Sequence, residues 1–229
     1  MSKHNLIFIP GLGCTHEIWQ EIYKTMDAKY NCYIHVLNQT TLEDNINKII
    51  SSYSEPFSIV GHSIGAWTAL AVAAHAPKKV ERLVSLAGWA RSQPNMAEFL
   101  TSMQAEALNG NIALFHKNQR AGAIWDKHPN YVEIDLKMKS MQESMSNEQY
   151  LSQARTIIND HAKIQDQLGK IKAESLIVHA EHDNFFPQEE AKFIHANLST
   201  SKSTTVKNSG HMLPLEAKDE VQQLLTEFL

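Results

Sequence analysis

Phe57-Ser58-Ile59-Val60-Gly61-His62-Ser63-Ile64-Gly65-Ala66 joins an apolar run, short enough for a buried strand, to a Gly-x-Ser-x-Gly turn and an Ala-rich segment that runs on to Ala76. A strand, a sharp turn and a helix in immediate succession are the context that a nucleophile elbow requires. Gly61 and Gly65 leave room where strand and helix nearly collide, so the turn can hold Ser63 with its hydroxyl facing outward. His62, its neighbour, is read as pointing away and packing in the core.

Outward from this stretch the chain alternates. Leu6 to Ile9 reads as a buried strand ended by Pro10-Gly11-Leu12-Gly13. Ile18, Trp19, Ile22, Tyr23 and Met26 recur on one helical face, Cys32 to Leu37 reads as a strand, and Leu42 to Tyr53 reads as an amphipathic helix. After the Ala-rich helix, Glu81 to Ala87 returns as a strand. Crossovers of this kind build a parallel sheet covered on both faces. From about Arg91 to Gly169 only helical periodicity remains, with Ser146 and Gln149 forming a capping box. Strand character resumes at Ser175 to Ala180 and, more weakly, at Thr204 to Val206. A C-terminal helix carries Val221, Leu224, Leu225 and Phe228 on one face. The expected organisation is an α/β core over residues 1–90 and 170–229 with a helical insertion over 91–169.

Composition limits the functional classes. The 229 residues are 43% hydrophobic and 20% charged, with a formal net charge of -4 and scattered Lys and Arg, which argues against a nucleic-acid partner. The apolar run before Pro10 is too short for a signal peptide, and no stretch approaches the roughly 20 apolar residues of a membrane span, so a cytoplasmic location is expected. Cys14 and Cys32 have no metal spacing and are expected to be reduced. No His, Cys, Asp and Glu set has the spacing of a metal site, and no Gly-rich loop matches a phosphate or dinucleotide site.

Open α/β sheets deliver functional residues at the carboxyl ends of their strands. Ser63 follows one strand, Glu181-His182-Asp183 follows another, and Gly210-His211 follows the last. Serine, acid and histidine stand in that order, all on sheet loops and none in the insertion. Glu181 competes with Asp183 for the acid, and Asp183 is preferred.

The chain thus resembles an α/β hydrolase of the small, cofactor-free esterase group. The likeness covers residues 1 to about 90 and about 170 to 229. It rests on Pro10-Gly11-Leu12-Gly13, Gly61-His62-Ser63-Ile64-Gly65, Glu181-His182-Asp183-Asn184-Phe185-Phe186-Pro187 and Gly210-His211-Met212-Leu213-Pro214-Leu215-Glu216. Two departures stand out: the first strands of the usual sheet are missing, and the second Gly-rich loop is replaced by Asn38-Gln39-Thr40-Thr41. The resemblance implies an α/β-hydrolase fold, mostly parallel, with residues 91–169 as a helical lid. It also implies a triad of Ser63, Asp183 and His211, an oxyanion hole from the backbone N–H groups of Leu12 and Ile64, and no cofactor or metal.

The expected activity is hydrolysis of a small carboxylic ester or thioester through an acyl-enzyme on Ser63. Trp89, Met96 and Met138 are the expected lining of the substrate pocket, since methionine suits an adaptable apolar wall. The runner-up is an esterase for an acyl group on a carrier protein, as in the pimeloyl methyl ester esterases that the chain resembles in size and lid placement, with Lys137 and Lys139 as a local basic patch. Residues 91–169 hold eight Lys or Arg and nine Asp or Glu, so no general attraction to an acidic carrier is expected. A ligand-binding protein of this fold without catalysis is the reading from another class. Such proteins commonly lack part of the triad.

Overall fold

The computed structural model describes residues 3–229. Among these residues six strands form one sheet: β1 (His4–Ile9), β2 (Tyr30–Ile34), β3 (Phe57–His62), β4 (Val80–Leu86), β5 (Glu174–Ala180) and β6 (Ser201–Val206). Their order is β2-β1-β3-β4-β5-β6, and every pairing is parallel. The fold expected from sequence is present, with helices on both faces.

Side chains alternate across each strand, so consecutive apolar residues feed two separate cores. Ile7, Ile9, Phe57 and Ile59 pack on one face beneath α2 (Leu42–Ser52) and α3 (Ile64–His75). Leu6, Phe8, Val60 and Val84 pack on the other, against α1 (Gln20–Met26) and the C-terminal helix. α3 is buried at every residue from Ile64 to Ala74, as a helix apolar all round can be, with the one polar side chain, Thr68, donating to Ile64 O.

The bounds of β2 and β6 differ from the expected ones by up to three residues, and those of β1, β4 and β5 by one or two. β2 begins at Tyr30 and ends at Ile34, because Leu37, though buried, belongs to the following loop. β6 begins at Ser201 because it is an edge strand: its half-exposed polar side chains carry little hydrophobic signal, and its pairing with β5 defines it.

Between β4 and β5 lie α4 (Pro94–Glu106), a kink at Gly110 (φ 90°), α5 (Ile112–Ala123), α6 (Tyr131–Ser144) and α7 (Asn147–Asp160). After β5 come α8 (Gln188–Asn197), the short α9 (Leu213–Glu216) and α10 (Lys218–Phe228). Ser146 caps α7, its Oγ accepting from Gln149 N at 3.2 Å. Among the described residues no helix is long and apolar enough to cross a membrane.

The topology locates the site. β1 is flanked by β2 on one side and β3 on the other, so the chain reverses its winding there and a crevice opens outside the carboxyl ends of β1 and β3.

Candidate active site

Ser63 sits between β3 and α3 with φ 56° and ψ -121°. Among the described residues three non-glycine positions have positive φ, and all follow strand ends: Ser63 after β3, Ala87 after β4 and Asn208 after β6. Backbone strain of this kind persists only where the surroundings over-determine it. Here they do. A Cβ on Gly61 would stand 2.1 Å from the Gly65 carbonyl oxygen, and one on Gly65 would stand 2.2 Å from that of Ile9. β1, β3 and α3 therefore approach too closely for side chains, and Ser63 N is held by Leu86 O at 3.0 Å.

Asp183 and His211 meet although 28 residues separate them. His211 Nδ1 lies 2.9 Å from Asp183 Oδ2, and the Asp183 side chain is wholly buried. Asp183 Oδ1 accepts from the amides of Phe185 (2.9 Å) and Phe186 (3.1 Å). Burial alone would raise the Asp183 pKa. The His211 charge and these three hydrogen bonds outweigh it and hold the carboxyl below its ordinary value. An ionised carboxylate only accepts, so His211 carries its proton on Nδ1 and leaves Nε2 as the basic nitrogen. Glu181 is turned elsewhere, accepting from Lys207 Nζ and Asn208 N.

The loops after β5 and β6 are tied together by His182 N to Ser209 O at 2.9 Å. Glu216 then grips the backbone on both sides of His211, accepting from Gly210 N at 2.8 Å and Met212 N at 2.9 Å. The same carboxylate accepts from Trp125 N at 3.0 Å, which joins the loop after α5 to this mount. In the sequence Glu216 closes the Gly210–Glu216 motif with no role marked for it. Its position five residues after His211, at the end of the short helix that follows, is the signal that the sequence offers.

Leu12, His62, Ser63 and His211 line one cavity of about 120 Å³ with apolar side chains from α4, α5 and α7, among them Leu100, Phe115 and Ile157. Trp89 and Met96 also line it. Trp89 is stacked between Trp67 and Phe186, with centroids 5.3 and 4.7 Å away. Met138 does not line it. Its side chain is buried with Ile134 and Met141 in the core on the other face of the sheet, because the apolar side of α6 turns there. A larger groove of about 520 Å³ lies between α1, α6 and α10, lined by mixed charges and not by Ser63 or His211.

The loops on the β2 side are covered by α7. Gln153 Nε2 donates to Leu37 O (3.0 Å), Thr156 Oγ1 to Gln39 O (2.8 Å), and Asp160 Oδ2 accepts from Leu42 N (2.6 Å). The departure at Asn38-Gln39-Thr40-Thr41 is thus filled by helix-borne polar side chains.

His62 corrects the sequence reading. It is buried, as expected, but lines the same cavity as Ser63, with Nε2 donating to the His211 carbonyl at 2.8 Å. Burial, aided by repulsion from His211, pushes its pKa down to about 3, against the opposing effect of that hydrogen bond. The folded state therefore keeps His62 neutral where the unfolded chain, with an ordinary pKa near 6.5, binds a proton. This contribution is complete above pH 6.5 and is lost as pH falls towards 3, at up to about 1.4 kcal/mol per pH unit. Urea unfolding of wild type and His62→Asn at pH 7 and pH 5 should show the wild type losing about 2 kcal/mol more than the variant. A stability difference that does not change with pH would refute the buried neutral imidazole.

The comparisons with known proteins agree with this architecture. A family model described as alpha/beta hydrolase fold matches residues 51–218, and the chain belongs to that family. Among solved structures it is similar to the enol-lactonase from Burkholderia xenovorans LB400 (14% identity, TM-score 0.89, covering 100% of this chain and 92% of that one). It is also similar to a thermophilic esterase from Thermogutta terrifontis (15%, 0.87, 99% and 89%) and an esterase from Exiguobacterium antarcticum (16%, 0.83, 99% and 92%). At these identities the likeness is one of fold.

Proposed function

We propose that this protein is a serine hydrolase that cleaves small, uncharged carboxylic esters or thioesters through an acyl-enzyme on Ser63. The observation that carries the reading is the strained placement of Ser63 on the cavity that also holds His211, whose Nδ1 is 2.9 Å from the buried Asp183. His211 Nε2 takes the Ser63 proton as Oγ attacks the carbonyl carbon, and Asp183 stabilises the imidazolium that forms. The oxyanion is met by the amides of Leu12 and Ile64. Ile64 is the first residue of α3, where a helix offers its own N–H no acceptor. Losing one such donor costs on the order of 3 kcal/mol of transition-state stabilisation. The intermediate collapses as His211 returns the proton to the departing alcohol or thiol. Water, deprotonated by His211, then attacks the acyl-enzyme, and the acid leaves as Ser63 regains its proton.

In this reading residues 91–169 are the lid, since α4, α5 and α7 supply half of the residues that line the cavity. Among the described residues no Lys, Arg, Asp or Glu lines the cavity, and its size is of the order of one that holds a single benzene ring. An acyl group of roughly six carbons or fewer therefore fits, while a buried carboxylate would lack a partner. The carrier-linked reading gains no support at Lys137 and Lys139: neither lines the cavity, and Lys139 lies 3.7 Å from Glu143.

A p-nitrophenyl ester series from acetate to decanoate, with the succinate half-ester included, tests the reading. The expected kcat/KM rises by about fourfold per methylene until the cavity fills, falls beyond about six carbons, and is at least about 100-fold lower for the half-ester than for butanoate. Folded protein that hydrolyses none of these esters contradicts the proposal.

A further inference from the structure

Glutamines on helices usually face water, but Gln119 on α5 and Gln153 on α7 both reach the loop after β1. Gln119 Nε2 donates to Leu12 O at 3.0 Å, and Gln153 Oε1 accepts from Gly13 N at 3.0 Å. These are the two polar ends of one peptide group. We propose that Gln119 and Gln153 are positioning residues that set the oxyanion loop from the helical region, an inference that rests on the serine-hydrolase reading above.

The loop has a conformation that needs holding. Cys14 N donates to Gly11 O at 3.1 Å, and Gly13 has φ +73°, the pattern of a type II turn with glycine at its third position. Because the Gly11–Leu12 peptide is planar and trans, a carbonyl engaged inside the turn sends the Leu12 N–H out of it. A type II turn converts to type I by rotation of its central peptide, which here is Leu12–Gly13. Gln119 and Gln153 grip that peptide from both sides and oppose the rotation.

The two amides are themselves oriented. Leu12 O can only accept, so Gln119 must present its NH₂ there and turn Oε1 away. That oxygen accepts from Tyr150 OH (3.1 Å) and Gln142 Nε2 (3.0 Å). Gln142 Oε1 accepts from Arg120 Nη1 at 2.7 Å, and Arg120 Nε pairs with Asp135 Oδ1 at 2.7 Å. A pure donor at one end and a pure acceptor at the other leave one consistent assignment for every amide between them. Gln153 is fixed in the same way, since its Nε2 donates to Leu37 O. The network also closes on Gly13, where a Cβ would stand 3.0 Å from Tyr150 and 3.3 Å from Gln119 Oε1.

A residue that sets the oxyanion loop affects the tetrahedral state and leaves ground-state binding alone. Gln119→Leu and Gln153→Met remove the amides at similar volume, and circular dichroism establishes that each variant is folded. The readouts are kcat and KM for p-nitrophenyl butanoate, and the affinities of two probes: a propyl trifluoromethyl ketone, which forms a serine-bound oxyanion, and N-methylbutanamide, which does not. Each variant should lose about 10- to 100-fold in kcat, and Gln153→Met, which lies outside the cavity wall that Gln119 helps to line, should keep KM within about twofold of wild type. Affinity for the ketone should fall by the same factor as kcat, with that for the amide unchanged. An unchanged kcat in the folded variants would overturn the proposal, as would equal losses for ketone and amide. Gln153→Met decides alone if Gln119→Leu does not fold, because Gln153 does not line the cavity. Wild type that a fluorophosphonate labels, with variants of unchanged kcat, refutes only the positioning role; folded wild type that is not labelled removes the hydrolase reading itself.

Discussion

Ser63→Ala is expected to lower kcat on a short aryl ester by on the order of 10⁶-fold while leaving the fold intact. The loss is large because the attacking oxygen disappears, and His211 and Asp183 then have nothing to activate. The fold should be indifferent because the strain at this position lies in the backbone, φ 56° and ψ -121°, which alanine shares with serine. Steady-state turnover together with thermal unfolding checks both halves. Activity above about 1% of wild type would show that another group performs the attack.

Asp183→Asn should cost about 10⁴-fold in kcat, through the tautomer of His211. The amides of Phe185 and Phe186 both donate to Oδ1, so an asparagine must keep its oxygen there and turn its NH₂ towards His211 Nδ1. A donor facing Nδ1 requires that nitrogen to be bare, which moves the imidazole proton to Nε2 and removes the base that faces the nucleophile. Asp183→Asn therefore preserves shape and reverses proton placement. Turnover within tenfold of wild type in a folded Asp183→Asn protein would mean that Asp183 does not control His211.

The elements written locally in the chain were the legible ones. A strand, a glycine-flanked turn and an Ala-rich helix lie within twenty residues around Ser63, and the short runs before Asp183 and His211 end in loops whatever the rest of the molecule does. Met138 was misplaced for the opposite reason: helical periodicity gives α6 an apolar face but does not say which side of the sheet receives it. Gln119 and Gln153 are not legible in the sequence because their partners lie 107 and 140 residues away, and a glutamine on a helix carries no mark of such a contact. His62 shows an intermediate case. Its burial followed from its position in β3, while its bond to the His211 carbonyl depends on how the loop after β6 folds back over the elbow.

The central claim is that Ser63 is a nucleophile activated by His211, and its most direct test is covalent. Wild type and Ser63→Ala are incubated with an alkyl fluorophosphonate and read by intact mass and peptide mapping. The expected result is a single phosphonyl adduct on the peptide containing Ser63, absent from Ser63→Ala. Folded wild type without an adduct, or an adduct on any other residue, would contradict it.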